Sequence, residues 1–134
     1  MPAELIHTMI RVLDEERSLA FYRGLGFEER GRNRVGGDTA TVIFLGLPGD
    51  GARLELTVND GRTEPYELGE GYGHIAITAS GDDIDAELAR LAANGIRPEK
   101  EPYAAFPGGP RICFLRDPDG YRIELLDRNP EGAH

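Results

Sequence analysis

Apolar and polar residues alternate through LIHTMIRV at residues 5–12, and β-branched side chains are frequent there, so this stretch is predicted to be a strand. In DEERSLAFYRGLGF, residues 14–27, Leu19, Phe21, Tyr22 and Leu25 fall near helical spacing. Acids fill its first turn and Gly26 suits a helix stop. Residues 31–38 read as a strand or loop. ATVIFLGL and ARLELTV follow as two strand-like runs separated by the turn-forming cluster PGDG. A Gly-rich polar connection, NDGRTEPYELGEGYG, occupies residues 59–73. The order then returns: GHIAITA as a strand, and DDIDAELARLAANG as a helix with Ile84, Leu88, Leu91 and Ala92 on its apolar face and Gly95 at its end. RICFL and YRIELLD are predicted strands joined by DPDG, and NPEGAH reads as a frayed tail.

The pattern is therefore strand–helix–strands, twice, and the polar residues repeat with it. His7 opens the first unit and His74 the second, while Glu55 sits in L-E-L and Glu124 in I-E-L on the closing strands. The separations are 55 − 7 = 48 and 124 − 74 = 50, and the helix-ending glycines lie 26 − 7 = 19 and 95 − 74 = 21 residues after the histidines. Such a match predicts a duplicated module.

Composition narrows the class. A chain of 134 residues suits one compact domain able to bury about two-thirds of its unfolded surface. Apolar residues at 40% and charged residues at 29% fit a soluble globular protein, and no apolar run approaches the roughly 20 residues of a membrane helix. The opening MPAELIHTMIRV lacks the basic start, apolar core and cleavage site of a signal peptide, which predicts a cytoplasmic protein. A net charge of −9 argues against nucleic acid as a partner, and an anionic ligand would need individually placed arginines to hold it. The one cysteine, Cys113, lies in the apolar run ICFL, where a small core residue is expected.

Taken singly, a histidine at a strand start reads as an ordinary hydrogen-bonded residue, and a glutamate between aliphatics as a residue pointing to solvent. Their recurrence in both modules raises a second reading. Two imidazoles and two carboxylates would hold a divalent cation with no soft thiolate, a set that suits Zn, Ni, Co, Mn or Fe. Four protein ligands in an octahedral shell leave two positions open for substrate oxygens.

LIHTMIRV, LELTVN, YGHIAI and DPDGYRIEL resemble the signature segments of glyoxalase I, within the vicinal oxygen chelate superfamily, and YELGEGYGHIAI resembles that family's approach to its second histidine. The similarity runs from about residue 5 to residue 127. The resemblance implies an α+β fold of two tandem βαβββ modules forming half-barrel sheets within a single domain. Module one would span about 5–58, a linker 59–72, module two 73–127 and a tail 128–134. It implies His7, Glu55, His74 and Glu124 as ligands of one divalent metal, with Ni(II) or Co(II) favoured for this short form and Zn(II) possible. It further implies that Glu124 and Glu55 carry the proton transfer.

Arg11 and Asn59 match residues that hold the γ-glutamyl end of glutathione, and Arg90 is similar to an arginine that meets the glycyl carboxylate. Arg111 follows FPGGP where the family often has a lysine, and is expected to contact the same end. Tyr66, Tyr72 and Phe106 are read as packing residues as readily as pocket residues and are left outside the site. The implied reaction converts the methylglyoxal–glutathione hemithioacetal to S-lactoylglutathione through an enediolate. The short form implies a homodimer with sites at its interface. Rival readings are an extradiol-type dioxygenase, in which Glu55 would be a surplus ligand, an acyl-CoA epimerase, and a metal-free drug-binding protein.

Overall fold

A computed structural model of the chain describes residues 1–81 and 83–128. It divides into two compact units, Met1–Glu67 and Leu68–His134, and the division falls inside the polar 59–73 connection. The predicted tail NPEGAH and the first residue of DDIDAELARLAANG lie outside the described residues.

The first unit runs β1 (Thr8–Arg11), α1 (Glu15–Gly24), β2 (Glu28–Val35), β3 (Ala40–Gly46) and β4 (Leu54–Asn59). The second runs β5 (His74–Thr78), α2 (Ile84–Ala92), β6 (Tyr103–Ala104), β7 (Arg111–Arg116) and β8 (Arg122–Leu126). Each unit is βαβββ, and the sheet orders correspond: β1-β4-β3-β2 and β5-β8-β7-β6. In both, the strand before the helix pairs parallel with the last strand, and the remaining pairings are antiparallel.

The helices form where capping chemistry meets the periodic pattern. The Asp14 carboxylate accepts from the Arg17 N–H at 3.1 Å at the start of α1, and Asp83 accepts from the Ala86 N–H at 2.8 Å at the start of α2. Glu15 and Glu16, and likewise Asp85 and Glu87, put negative charge in the first turn, where the helix dipole favours it. Beyond the helices, Gly26 and Gly95 take φ of +107° and +78°, conformations that only a residue without Cβ adopts cheaply.

Each sheet has one apolar face. In the first unit Ile10, Ile43, Leu45, Leu54 and Leu56 are buried with Leu19 and Tyr22 of α1. In the second, Cys113, Leu115, Ile123 and Leu125 are buried with Ile84 and Leu91 of α2. Three details depart from the pattern reading. β1 begins at Thr8, because its parallel pairing starts opposite Leu54, and Leu5 and Ile6 stay exposed. β2 covers Glu28–Val35, earlier than residues 31–38, with an irregularity between Glu29 and Gly31. The short β6 carries too few residues to show an alternation.

Candidate metal and substrate site

Strand register brings each histidine to its glutamate. Across the parallel β1–β4 pair Met9 lies opposite Glu55, so His7, two residues before Met9, is on the same face as that carboxylate. Across β5–β8 Ala76 lies opposite Glu124, and His74 is again two residues before. The result is one arrangement made twice. His7 Nε2 stands 3.4 Å from Glu55 Oε1, and His74 Nε2 stands 3.5 Å from Glu124 Oε1. The carboxylates are the more sheltered partners, with side chains 14% and 13% exposed against 34% and 41% for the imidazoles. The aliphatic neighbours of each glutamate point into the core, which forces the acid onto the opposite face.

The third strand of each sheet adds an aromatic ring. Phe44 lies opposite Glu55 and Phe114 opposite Glu124. Their rings meet the imidazoles edge-on, His7–Phe44 at 6.1 Å and His74–Phe114 at 5.2 Å between centroids. An arginine also precedes each glutamate by two residues, in R-L-E-L and R-I-E-L. Arg53 donates to Asp50 at 2.9 Å and to the Leu5 carbonyl at 3.1 Å, and this pairing holds the Asp50 carboxyl below the usual carboxylate range. Arg122 lies directly opposite His74 in the β5–β8 ladder. These four residues were not among those the sequence reading singled out. The repeated R-x-E-L was the available signal.

Among the described residues, neither unit by itself gathers three His, Cys, Asp or Glu side chains around a point; each supplies a pair. The pairs fit a metal's donor set. Two ligands about 2.0–2.2 Å from one divalent ion stand about 3.0 Å apart at right angles and about 3.4 Å apart at the tetrahedral angle. The observed 3.4 and 3.5 Å lie at the upper end of that range. One nitrogen and one hard oxygen per pair suit a borderline divalent cation.

Arg11 lies opposite Thr57 in β1–β4, so Arg11 and Asn59 share the sheet face of His7 and Glu55, toward the other end of the strands. Asn59 donates to the Tyr66 hydroxyl at 2.9 Å, and the Arg62 guanidinium covers the Tyr66 ring at 4.2 Å.

The second unit does not place Arg90 and Arg111 beside its His–Glu pair. Arg111 alternates with Phe114 to the opposite face of β7, where it is ion-paired to Asp85 of α2 at 2.6 Å and to Asp127 at 3.3 Å. Those acids hold its guanidinium above the usual arginine range. Arg90 is ion-paired to Glu87 within α2. Glu87 is buried and also accepts from the Ser80 N–H at 2.8 Å and from the Ser80 hydroxyl. Within this unit, α2 carboxylates engage both arginines, Glu87 with Arg90 and Asp85 with Arg111. Tyr72 is structural too. Its hydroxyl donates to the Arg122 carbonyl at 3.0 Å, and burial, with Asp117 nearby, pushes it up to about 12.

Residues 4–125 match the family described as the Glyoxalase/Bleomycin resistance protein/Dioxygenase superfamily. A Vibrio parahaemolyticus protein named probable lactoylglutathione lyase is 37% identical over 132 residues, spanning 96% of this chain and 94% of its own. The lactoylglutathione lyase of Salmonella typhimurium is 35% identical over 131 residues, spanning 96% and 95%. Among solved structures, the trypanothione-dependent glyoxalase I of Leishmania major superposes with a TM-score of 0.76 at 38% identity, covering 93% of this chain and 86% of that one. Glyoxalase I of Zea mays gives 0.80 at 31% identity over 92% of this chain, which spans 44% of the maize chain.

Proposed function

Since the chain belongs to the Glyoxalase/Bleomycin resistance protein/Dioxygenase superfamily, we propose that it is a lactoylglutathione lyase, converting the hemithioacetal of methylglyoxal and glutathione to S-lactoylglutathione. The observation that carries this reading is the duplicated His–Glu pair, His7–Glu55 and His74–Glu124, at matching separations. The identity of 35–37% over nearly the full length of relatives named for this activity supports it.

His7, Glu55, His74 and Glu124 together would hold one divalent cation, Ni(II) or Co(II) by preference and Zn(II) as an alternative. The two units would act as the halves of one glyoxalase-type domain, in a cytoplasmic homodimer. When bound, the cation supplies Lewis acidity to the vicinal oxygens of the substrate. The residues do the rest. Glu124 takes the proton from the thiol-bearing carbon, and the electron pair left behind delocalises onto the neighbouring carbonyl oxygen. A proton is then delivered to the adjacent carbon, with Glu55 as the group on the second pair. The hydroxyl proton of the hemithioacetal moves to the former carbonyl oxygen, leaving a thioester and a new secondary alcohol.

Arg11 and Asn59 bind the γ-glutamyl end. They lie four residues along the strands from His7 and Glu55, roughly 13 Å at 3.3 Å per residue, a span that an extended tripeptide thiol bridges. Arg11 supplies a charge-assisted bond to the carboxylate and Asn59 an amide donor.

The test is an assay of metal-stripped protein on the methylglyoxal–glutathione adduct, reconstituted in turn with Ni, Co, Mn and Zn. Turnover restored by at least one ion is the expected result. Stoichiometric metal without isomerase activity would leave the site to a different reaction of the superfamily.

A further inference from the structure

Next to the His74–Glu124 pair lies a cavity of about 380 Å³ lined by Glu99, Lys100, Tyr103, Phe114 and Arg122. It shares two walls with the pair. Arg122 lies opposite His74 and two residues before Glu124 on the same face, and Phe114 lies opposite Glu124. The Arg122 guanidinium rests over the Phe114 ring at 3.8 Å and donates to both Glu99 oxygens, at 3.0 and 3.3 Å. Glu99 is itself pinned, since its N–H donates to the Phe114 carbonyl at 2.8 Å, and Arg116 pairs with it at 2.9 Å. Lys100 lies over Tyr103 at 4.0 Å. The lining side chains carry two cations, Lys100 and Arg122, against the one carboxylate of Glu99, a formal excess of one positive charge in a chain whose net charge is −9.

This is a pre-organised anion site. Glu99 and the Phe114 ring fix the guanidinium in one orientation, so little rotamer freedom is lost on binding. Glu99 takes two of the five N–H donors of Arg122, and the others remain for a ligand. The cavity adjoins the pair assigned to the reacting carbons, so what enters it is the substituent those carbons carry.

We propose that this pocket selects α-oxoaldehydes whose side chain ends in a carboxylate, with Arg122 as the specificity-determining residue and Lys100 as its supporting charge. The inference rests on the isomerase reading above. It extends that reading from methylglyoxal to acidic α-oxoaldehydes.

Two unreactive thioethers of glutathione, S-carboxypropyl and S-butyl, test it by calorimetry on the metal-loaded protein. They share the thiol half, so any difference in Kd reports the substituent alone. The carboxypropyl form is expected to bind about tenfold tighter, the scale of one charge-assisted hydrogen bond. Arg122→Gln should bring the ratio to about one, and Arg122→Lys should keep part of it. Lys100→Gln, at a lining side chain that rests over the Tyr103 ring, should reduce the ratio even if Arg122→Gln fails to fold. The kcat/KM ratio for dioxovalerate over oxohexanal should follow the same order. Equal or tighter binding of the butyl form, or an Arg122→Gln protein that weakens both thioethers alike, overturns the proposal. If neither thioether binds, the glutathione reading fails and this proposal fails with it.

Discussion

His74 Nε2 lies 3.5 Å from Glu124 Oε1, although 50 residues separate them in the chain. A parallel ladder offset by two residues creates that proximity, and His7 and Glu55 reproduce it at 3.4 Å. At these distances the two groups of each pair are spaced as two donors sharing a third partner would be.

If Glu124 abstracts the proton, Glu124→Gln should lower kcat by about 10²- to 10⁴-fold, the usual contribution of a positioned general base. Metal content, measured on the same sample, separates a lost base from a lost ligand. Wild-type turnover at full metal occupancy would remove Glu124 from that role.

Chelation should abolish activity, and addition of a competent ion should restore it. Binding should also raise the melting temperature, because an ion at a hundredfold excess over its Kd adds about 2.7 kcal/mol of stability. His7→Ala and His74→Ala should each diminish the metal-induced shift in a thermal melt. A full shift in either variant would show that the histidine is not a ligand.

Arg11 and Arg90 should part company in steady-state kinetics. Arg11→Ala should raise KM by about 10- to 100-fold with a smaller effect on kcat, the loss expected for one charge-assisted bond of about 1.5–3 kcal/mol. Arg90 is committed to Glu87. Its alanine variant should leave KM within about twofold and cost at most about 1 kcal/mol, since its side chain is 47% exposed.

Glu87 is the more consequential member of that pair. Glu87→Ala removes the acceptor of the Ser80 N–H and hydroxyl and leaves Arg90 without this partner. A loss of about 1–3 kcal/mol is expected in urea unfolding with kcat unaltered. A neutral result would mean that solvent replaces the acceptor.

Burial pushes the Cys113 thiol from its ordinary 9.0 up to about 11, with Glu101 adding to the effect. The folded protein therefore keeps a proton that the unfolded chain releases first. The stability linked to this group is fully present below pH 9 and is lost as pH rises toward 11. Native protein at pH 8 should resist thiol alkylation, and the unfolded chain should react freely; fast labelling of native protein would contradict the buried thiol.

Much was legible along the chain itself, because periodicity and capping are local. The alternation around Glu55 and Glu124 places each acid on the face opposite its aliphatic neighbours, and the recurrence of histidine, glycine and glutamate at nearly equal separations marks two copies of one module. Asp14 with its following acids, and Gly26 and Gly95, announce where helices begin and end. The mix of helix and strand, the strand–helix–strands order of each half and the recurring His and Glu rest on such short-range relations; the βαβββ order was implied by the resemblance, and the two-residue β6 leaves no alternation to read.

Only tertiary structure decided where the long cationic side chains go. Along the chain Arg90 and Arg111 are marked by the resemblance and Arg53 and Arg122 only by the repeated R-x-E-L, yet the first two are engaged by acids on α2 and the last two flank the His–Glu pairs. An arginine's partner depends on which face of its strand it occupies and which distant carboxylate the register sets within about 3 Å of it. The same holds for the Phe114 platform beneath Arg122 and for the start of β1 at Thr8, both set by pairing with strands remote in the chain. Local preference shapes each element, but the charge arrangement around the site exists only once those elements are in register.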